Sequence, residues 1–347
     1  MKLKSLLLGS AAALVAMSGA RAADAVIAEP EPVEYVRVCD AYGAGFFYLP
    51  GTETCLQLSG FVRYDININE EGWQKNTTAA INFDVRSDTE MGTLRGYIAL
   101  RAGAFGEGDP IPTPAADEVD GANPLSLNAA FIDEAYIQLG GLTIGTTYDY
   151  FDAYGIGGEN DGLGGAQVNL IGYTYAANGF NAGIALVDDN DDIDFAGDPD
   201  DDSDFTPNVT ATAGYVFGAG NVQVVGAYDN DTSEFAAKVR AEATVTEGGT
   251  LGLAVVYASG RTYTWSAAEW SVAGSYTQKV SDTVSVSLGA QYWSDVAFVA
   301  GVDQYSIGAN VDWTPVTNFL VRAQVQYVDN SVTDGAFNAR LRFQRSF

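Results

Sequence analysis

The sequence predicts an all-β fold, a 16-stranded antiparallel transmembrane β-barrel whose third long loop folds inward. Three observations predict the barrel. Sixteen segments of about ten residues alternate between apolar and polar side chains, and the connections between them are alternately short and long. A secretory leader precedes the segments, and no later run approaches the ~18 continuous apolar residues of a membrane-spanning helix.

The first 22 residues predict a signal peptide. Lys2 and Lys4 form a basic start, residues 6–17 form an apolar stretch, and residues 20–22 read Ala-Arg-Ala, a small-x-small cleavage site. The apolar stretch is too short for a membrane anchor. We therefore expect the mature chain to begin near Ala23.

Residues 23–55 are predicted to form an N-terminal segment, followed by the barrel over residues 56–347. Cys39 and Cys55 are the two cysteines of the chain, and in an exported protein they pair by default as a disulfide. The bond would staple the aromatic turn over residues 42–51. A free structural pair is the weaker alternative, and two cysteines without histidine make a poor zinc site.

The composition excludes several kinds of function. The chain has 17 Lys and Arg against 45 Asp and Glu, a net charge of −28, and no His. So acidic a surface repels phosphate backbones, which excludes nucleic acid as a partner. The absence of His removes Ser-His hydrolases, His-dependent metal sites and most general-base chemistry. We therefore expect a protein that is not an enzyme.

The barrel segments show a period of two. In the first of them, Leu58, Val62 and Tyr64 share one parity, whereas Arg63 and Asp65 share the other. A period of two over such lengths predicts strands with one apolar and one polar face. The 16 predicted strands cover residues 56–68, 78–88, 93–101, 129–139, 142–148, 168–176, 180–187, 208–217, 221–229, 235–246, 250–259, 268–279, 284–293, 303–313, 319–328 and 336–347.

The uniform apolar parity favours a membrane barrel over a soluble sandwich, which would share its apolar faces in a core. A ten-residue strand tilted by about 45° spans roughly 23 Å, close to the ~25 Å apolar band of outer-membrane barrels. Aromatic residues near the segment ends are typical of interfacial girdles. These are Tyr64, Tyr215, Tyr228, Tyr257, Trp270, Tyr292, Trp313 and Tyr327.

Two stretches near the mature N-terminus carry a family resemblance. Residues 33–45 read Val-Glu-Tyr-Val-Arg-Val-Cys-Asp-Ala-Tyr-Gly-Ala-Gly, and residues 50–56 read Pro-Gly-Thr-Glu-Thr-Cys-Leu. Residues 4–13 of the leader and the C-terminal Phe347 fit the same pattern. Together these features resemble the outer-membrane porins of alphaproteobacteria, the rhizobial and Brucella type of general porin. Beyond about residue 100 the similarity rests mainly on architecture.

The resemblance implies a homotrimeric, 16-stranded diffusion channel of the Gram-negative outer membrane, with its third external loop folded into the lumen. Its implied partners are outer-membrane lipid and lipopolysaccharide, small hydrophilic solutes, and the barrel-assembly machinery, which would read Phe347 as an assembly signal. The strand count independently places residues 148–167 as the third long loop.

Charged residues predict a constriction in such a channel. The third loop carries four acids, and the polar parity of the first three strands carries four arginines. A basic wall opposite an acidic loop would set up a transverse field at the narrowest point. The alternative is that the arginines pair with Asp65 and Asp84 on their own wall. The acids are Asp149, Asp152, Glu159 and Asp161, and the arginines are Arg63, Arg86, Arg95 and Arg101.

Further basic residues share the polar parity of later strands, although the sequence does not place them at the narrowest level. They are Lys238, Arg240, Arg322, Arg340 and Arg342.

An acidic run extends from Asp188 to Asp204, with ten Asp in 17 residues. It lacks the Gly and the final Glu of an EF-hand, so an external loop too charged to pack is the favoured interpretation. We expect no cofactor, while weak, exchangeable binding of Ca²⁺ or Mg²⁺ to this run stays open.

The function predicted from these features is passive diffusion of small hydrophilic solutes and ions, with a preference for cations. One alternative is a substrate-selective channel, for instance for sugars, with Tyr148, Tyr150, Phe151 and Tyr154 as a stacking surface. The other is a surface adhesin or receptor that acts through the external loops.

Overall fold

The computed structural model describes residues 37–70, 72–105, 130–156, 162–188 and 206–347. The predicted leader and most of the acidic run after Asp188 lie outside this part of the chain. All 16 predicted strands are confirmed, most to within three residues at each end. They are β2 (Cys55–Asn69), β3 (Gly72–Thr89), β4 (Gly92–Phe105), β5 (Phe131–Leu139), β6 (Leu142–Tyr148), β7 (Gln167–Ala177), β8 (Phe180–Asp188), β9 (Asn208–Phe217), β10 (Gly220–Asp229), β11 (Glu234–Thr246), β12 (Gly249–Ala258), β13 (Ala268–Lys279), β14 (Val284–Val296), β15 (Gln304–Val316), β16 (Phe319–Asn330) and β17 (Ala336–Ser346).

These 16 strands form a closed antiparallel barrel. Each pairs with its neighbours in sequence, and β17 returns to pair with β2 from Ala339↔Ile68 to Ser346↔Phe61. The last residue completes this seam, because Gly60 and Phe347 exchange two backbone hydrogen bonds of 3.0 Å. Closure leaves the barrel without an edge strand, as a lipid environment requires. In the part of the chain that the structure describes, no helix is long and apolar enough to cross a membrane.

Burial confirms the predicted faces. On β2, Leu58 and Val62 are about half exposed, whereas Asp65 of the opposite parity is only 5% exposed. Leu253, Val272 and Ile307 are likewise exposed on later strands. Polar side chains turned inward are buried: Asp84, Asp133, Thr210, Gln223, Lys238, Ser271, Gln291 and Asn310. Apolar outside and polar inside is the arrangement of a barrel that faces lipid and encloses water.

The connection between β2 and β3 differs from the prediction. It consists of residues 70–71 alone, because β3 begins at Gly72, six residues before the predicted start. Apart from Trp73 the extension has no large apolar residue, and it lacks the alternation that predicted the other strands. Backbone pairing such as Asn67↔Gln74 does not require an apolar face, so the hairpin continues beyond the apolar band.

The N-terminal segment adds one strand that the sequence did not predict. Strand β1 (Phe46–Tyr48) pairs with the end of β2 that β17 does not reach, after a short 3-10 helix (Asp40–Tyr42). The predicted disulfide between Cys39 and Cys55 is present, with both residues buried. It closes a small lobe against the barrel.

This lobe contacts inward side chains near the end of the barrel that carries the short connections. The Tyr42 hydroxyl donates to Asp88 (2.7 Å), and Gln57 Nε2 donates to the carbonyl of Ala44 (3.0 Å). The guanidinium of Arg86 lies 5.1 Å from the centre of the Phe46 ring. The lobe is therefore part of the lining at this end.

Candidate functional site in the barrel interior

The loop between β6 and β7, residues 149–166, is anchored by apolar side chains. Phe151, Ile156 and Leu163 are each at most 3% exposed. They pack in one cluster with Val225 of β10 and Val256 of β12. These partners belong to the inward parity, since the exposed apolar residues of the same strands alternate with them.

Polar side chains of distant strands hold the same loop through its carbonyl oxygens. Lys238 Nζ on β11 donates to Phe151 O and Leu163 O, and Arg240 Nε donates to Gly155 O (2.9 Å). Similarly, Ser275 Oγ on β13 donates to Ile156 O (2.7 Å), and Gln291 Nε2 on β14 donates to Gly162 O (2.6 Å). The described parts of the loop thus contact the interior side of strands remote from β6 and β7.

Lys238 is the most buried of these donors, with 1% of its surface exposed. Its ammonium group also lies 5.0 Å from the centre of the Phe151 ring. A buried ammonium is stable only when carbonyls or counter-charges replace its water. The sequence predicted that Lys238 and Arg240 face the lumen, but their contact with the loop carbonyls could not be read from parity.

Asp149 is fully buried at the base of the loop. Its Oδ1 accepts the backbone N–H of Asp152 (3.0 Å) and of Ala166 (3.4 Å), which joins the two ends of the loop. Burial raises the pKa of its carboxyl group, opposed by the Thr264 hydroxyl, the two N–H groups and the Lys238 ammonium. This burial contradicts the prediction that Asp149 lines the constriction.

The other three predicted acids differ from Asp149 in their placement. The Asp152 side chain is exposed, while Glu159 and Asp161 lie outside the described residues. Gly165 packs directly beneath Asp152: a Cβ there would lie 2.4 Å from the Asp152 Cβ. Gly165 also has a φ of +138°, which side-chain-bearing residues rarely adopt. Close packing of the two loop ends therefore presents Asp152 outward from the loop.

Three of the four predicted arginines form ion pairs on their own wall. Arg86 and Arg95 share Asp84, at 2.7 and 2.8 Å. Arg101 pairs with Asp133 at 2.7 Å. The sequence-level alternative of same-wall pairing with Asp84 is thus correct for Arg86 and Arg95.

Arg63 is different, because its Nε donates to Gln344 (2.8 Å) and not to an acid. The acid next to it, Asp65, is bound by Arg342 at 2.7 Å. The charges that act on Arg63 are those of Arg342, Asp65, Arg101 and Arg340. The group Arg63, Arg101, Arg340 and Arg342, called the arginine group below, therefore lies on β2, β4 and β17.

Tyr148 links the predicted acidic and basic sides. Its hydroxyl donates to Asp133 (3.2 Å), the acid that pairs with Arg101. Tyr148, at the base of the loop, thus contacts the same acid as one member of the arginine group.

The aromatic residues of the loop act as anchors. Phe151 is fully buried, and Tyr150 and Tyr154 pack against the same apolar cluster. The Tyr150 hydroxyl also lies over Gly172 and Gly183, where an added Cβ would come within 3.2 Å and 2.9 Å of it. Phe151 therefore cannot take part in the predicted stacking surface, because neither face of its ring is accessible.

The geometry of the barrel and its interior defines the class of protein. A closed barrel with an apolar exterior, a charged polar interior and a loop held against its inner wall is a channel protein of the porin class. The chain belongs to the porin subfamily, whose family model matches residues 24–342. It is therefore a porin of the outer membrane.

Two known relatives support this assignment to the porins. The chain is 37% identical to porin Omp2b of Brucella canis in a 378-residue alignment that covers all of both chains. It is 36% identical over 370 residues to outer membrane protein IIIA of Rhizobium leguminosarum bv. viciae, covering 99% of this chain and 95% of the relative. The predicted rhizobial and Brucella affinity is confirmed.

Solved structures share the fold at low sequence identity. The outer membrane channel DcaP of Acinetobacter baumannii has a TM-score of 0.64 at 14% identity, covering 86% of this chain and 99% of that one. The trimer form of OmpT from Vibrio cholerae has a TM-score of 0.60 at 13% identity, covering 85% and 100%.

Proposed function

We propose that this porin is a general channel for passive diffusion of small hydrophilic solutes and ions, and not an enzyme. The observation that carries the proposal is the division of the interior. The described parts of the loop of residues 149–166 contact β10 to β14, whereas the arginine group lies on β17, β2 and β4. The water-filled passage runs between these two sides, and the loop narrows it.

The constriction would carry a transverse field. Asp152, with Glu159 and Asp161, supplies negative charge on the loop side. Arg63, whose Nε donates to Gln344, supplies positive charge on the wall. Such a field orders water, so that apolar solutes pass at a higher cost than polar ones.

The channel is expected to prefer cations. The chain carries a net charge of −28, and its acids include the run after Asp188. A negative mouth concentrates cations and depletes anions. In a KCl gradient across a planar bilayer containing the purified porin, the reversal potential should have the sign of potassium selectivity. A clear chloride preference would overturn this part of the proposal.

Neutralising the loop acids should weaken that preference. We expect Asp152→Asn to shift the reversal potential toward zero, and Asp152→Asn with Glu159→Gln to shift it further, because each change removes one negative charge beside the aperture. Asp282→Asn is the matched control, since Asp282 is fully exposed in a short turn. If the double variant kept wild-type selectivity, the loop would not form the constriction.

Several partners complete the proposal. A homotrimer is proposed on the family and on the trimer form of the OmpT neighbour. Lipopolysaccharide and lipid would contact the apolar exterior, and the barrel-assembly machinery would bind the last strand with Phe347. Weak divalent-cation binding remains a proposal for the run from Asp188 to Asp204, most of which lies outside the described residues.

A further inference from the structure

The connection between β12 and β13, residues 259–267, also folds against the interior of the barrel. Because successive strands are antiparallel, β6 and β12 end at the same end of the barrel, so this connection and the loop of residues 149–166 lie on the same side. Thr262, Thr264 and Trp265 are each at most 6% exposed. The middle of the connection is therefore buried.

Residues 262–265 form a turn that is closed by its own hydrogen bonds, and we call them the inner turn. Thr262 and Trp265 exchange backbone hydrogen bonds of 2.9 and 3.2 Å, and Thr262 Oγ1 also accepts the Trp265 N–H (3.1 Å). The indole Nε1 of Trp265 donates to Ala268 O (2.6 Å). A buried indole needs an acceptor for its N–H, so this bond fixes the orientation of the ring.

The inner turn lies directly against the returning end of the loop of residues 149–166. The backbone N–H of Gly165 donates to Thr264 O (3.0 Å). A Cβ added to Gly164 would lie 2.7 Å from Cε3 of Trp265 and 2.8 Å from Thr264 O. Gly164 also has a φ of +76°, a conformation that favours glycine. The loop backbone therefore contacts the indole ring so closely that no side chain fits between them.

Trp265 packs in one apolar cluster with both the loop and the barrel wall. The cluster contains Phe151, Ile156 and Leu163 of the loop and Val256 of β12. Removing a large side chain from such a cluster leaves a cavity into which its neighbours relax in part. The indole therefore acts as a spacer between the returning end of the loop and the wall.

Neighbouring connections hold the inner turn in place. Asp229, the last residue of β10, is 3% exposed and accepts the backbone N–H of Tyr263 (2.7 Å) and of Thr232 (3.0 Å) on its two oxygens. On the other side, the backbone N–H of Ala297 donates to Ala267 O (2.8 Å). A shift of the inner turn would therefore break hydrogen bonds to the connections on both sides of it.

We propose that the inner turn is a clamp that sets the position of the loop of residues 149–166, with Trp265 as its positioning residue. The clamp deepens the proposed function and rests on it, because it requires that the loop narrows the passage. Trp265 acts through the loop: its ring fixes the distance of Gly164 and Leu163 from the wall, and the loop sets the width open to solutes.

The test measures the width of the passage in single channels of the porin, in a planar bilayer at constant KCl. Polyethylene glycols of graded size are the probes, because a polymer that enters the channel lowers its conductance. In Trp265→Ala the loop can move into the vacated space, so a larger polymer should enter than in the wild type. The time spent outside the main open level should rise about 100-fold, in line with the truncation of a buried Trp.

Two further variants separate positioning from stability. Trp265→Phe keeps an aromatic ring in the cluster, so its size limit should return to that of the wild type. Trp73→Ala is the matched control, because Trp73 is 62% exposed on the outer face of β3 and its loss should leave the size limit unchanged. A role in stability alone would reduce the fraction of compact barrel on an unheated gel but would not change the size limit of assembled channels.

Asp229→Asn tests the clamp through the inner turn, without a change in the apolar cluster. The variant keeps the volume of the side chain but leaves one oxygen for the two N–H groups that Asp229 binds. We expect the time outside the main open level to rise about tenfold, in line with the loss of one hydrogen bond to a charged group. This variant decides the test if Trp265→Ala does not assemble.

The outcomes separate the clamp from the channel. A wild-type size limit and a wild-type current record in assembled Trp265→Ala would overturn the clamp while the channel stands. If Trp265→Ala does not assemble, a wild-type record from Asp229→Asn would do the same. An absence of any conductance step in the wild-type protein would instead overturn the proposed function.

Discussion

Replacing Gly60 by Leu is expected to prevent closure of the barrel. Gly60 faces outward on β2 at the seam with the last residue, and a Cβ there would lie 2.1 Å from the carbonyl oxygen of Ala80 and 2.9 Å from the Phe347 ring. The Ala80 contact is with backbone, which cannot move without breaking the β2–β3 ladder. Overpacking of this kind costs about 1–3 kcal/mol or more, a five- to 150-fold loss of the closed form.

The measurement is the fraction of protein that migrates as a compact barrel on a gel without heating. Gly96→Leu is the matched control, because Gly96 shares the outward parity of Leu94 and Ile98 on β4, and nothing lies within 4 Å of a Cβ added there. We expect the control to assemble like the wild type. Normal assembly of Gly60→Leu would show that the seam tolerates a side chain and that Phe347 closes the barrel in another way.

Replacing Lys238 by Met is expected to loosen the loop of residues 149–166 without unfolding the barrel. The change removes the buried ammonium that binds Phe151 O and Leu163 O, and Met has no donor for these carbonyls. An unsatisfied buried acceptor costs about 1–3 kcal/mol, so the population of released loop should rise about five- to 150-fold. Single-channel records at fixed voltage should then show frequent brief changes in current.

Lys279→Met provides the control, since it removes an exposed lysine that contacts Asp282 and not the loop. Its current should be as steady as that of the wild type. If the single-channel current of Lys238→Met showed no such brief changes, the apolar cluster around Phe151 and Leu163 would hold the loop by itself. Both variants should pass the same gel test for assembly, which separates loop release from misfolding.

The faces of the strands were predictable because parity depends only on neighbours along the chain. The alternation of Leu58, Val62 and Tyr64 with Arg63 and Asp65 identified both faces of β2, and the structure confirms them. The connection between β2 and β3 was mispredicted because the prediction relied on this alternation alone. The residues from 72 to 77 pair through their backbones while their side chains carry no apolar alternation.

The height of each inward side chain along the barrel axis was not predictable. Arg342 and Asp65 form an ion pair although they are 277 residues apart in sequence, because the pairing of β17 with β2 brings them to the same height. Parity indicates that both face inward, but no local pattern predicts the register in which β17 pairs with β2. The arginine group could therefore be only partly identified before the structure was known.

The sequence by itself determined the number of barrel strands, their faces and the disulfide partners, because each depends on local pattern or on the pairing of the two cysteines. Only the tertiary structure decided which acids of the loop of residues 149–166 meet water. Asp149 and Asp152 are three residues apart and look equivalent in sequence, yet one is buried as a backbone acceptor and the other is exposed. Exposure within a folded loop depends on contacts with Lys238, Ser275 and Gln291 on strands far along the chain, and a local pattern does not contain them.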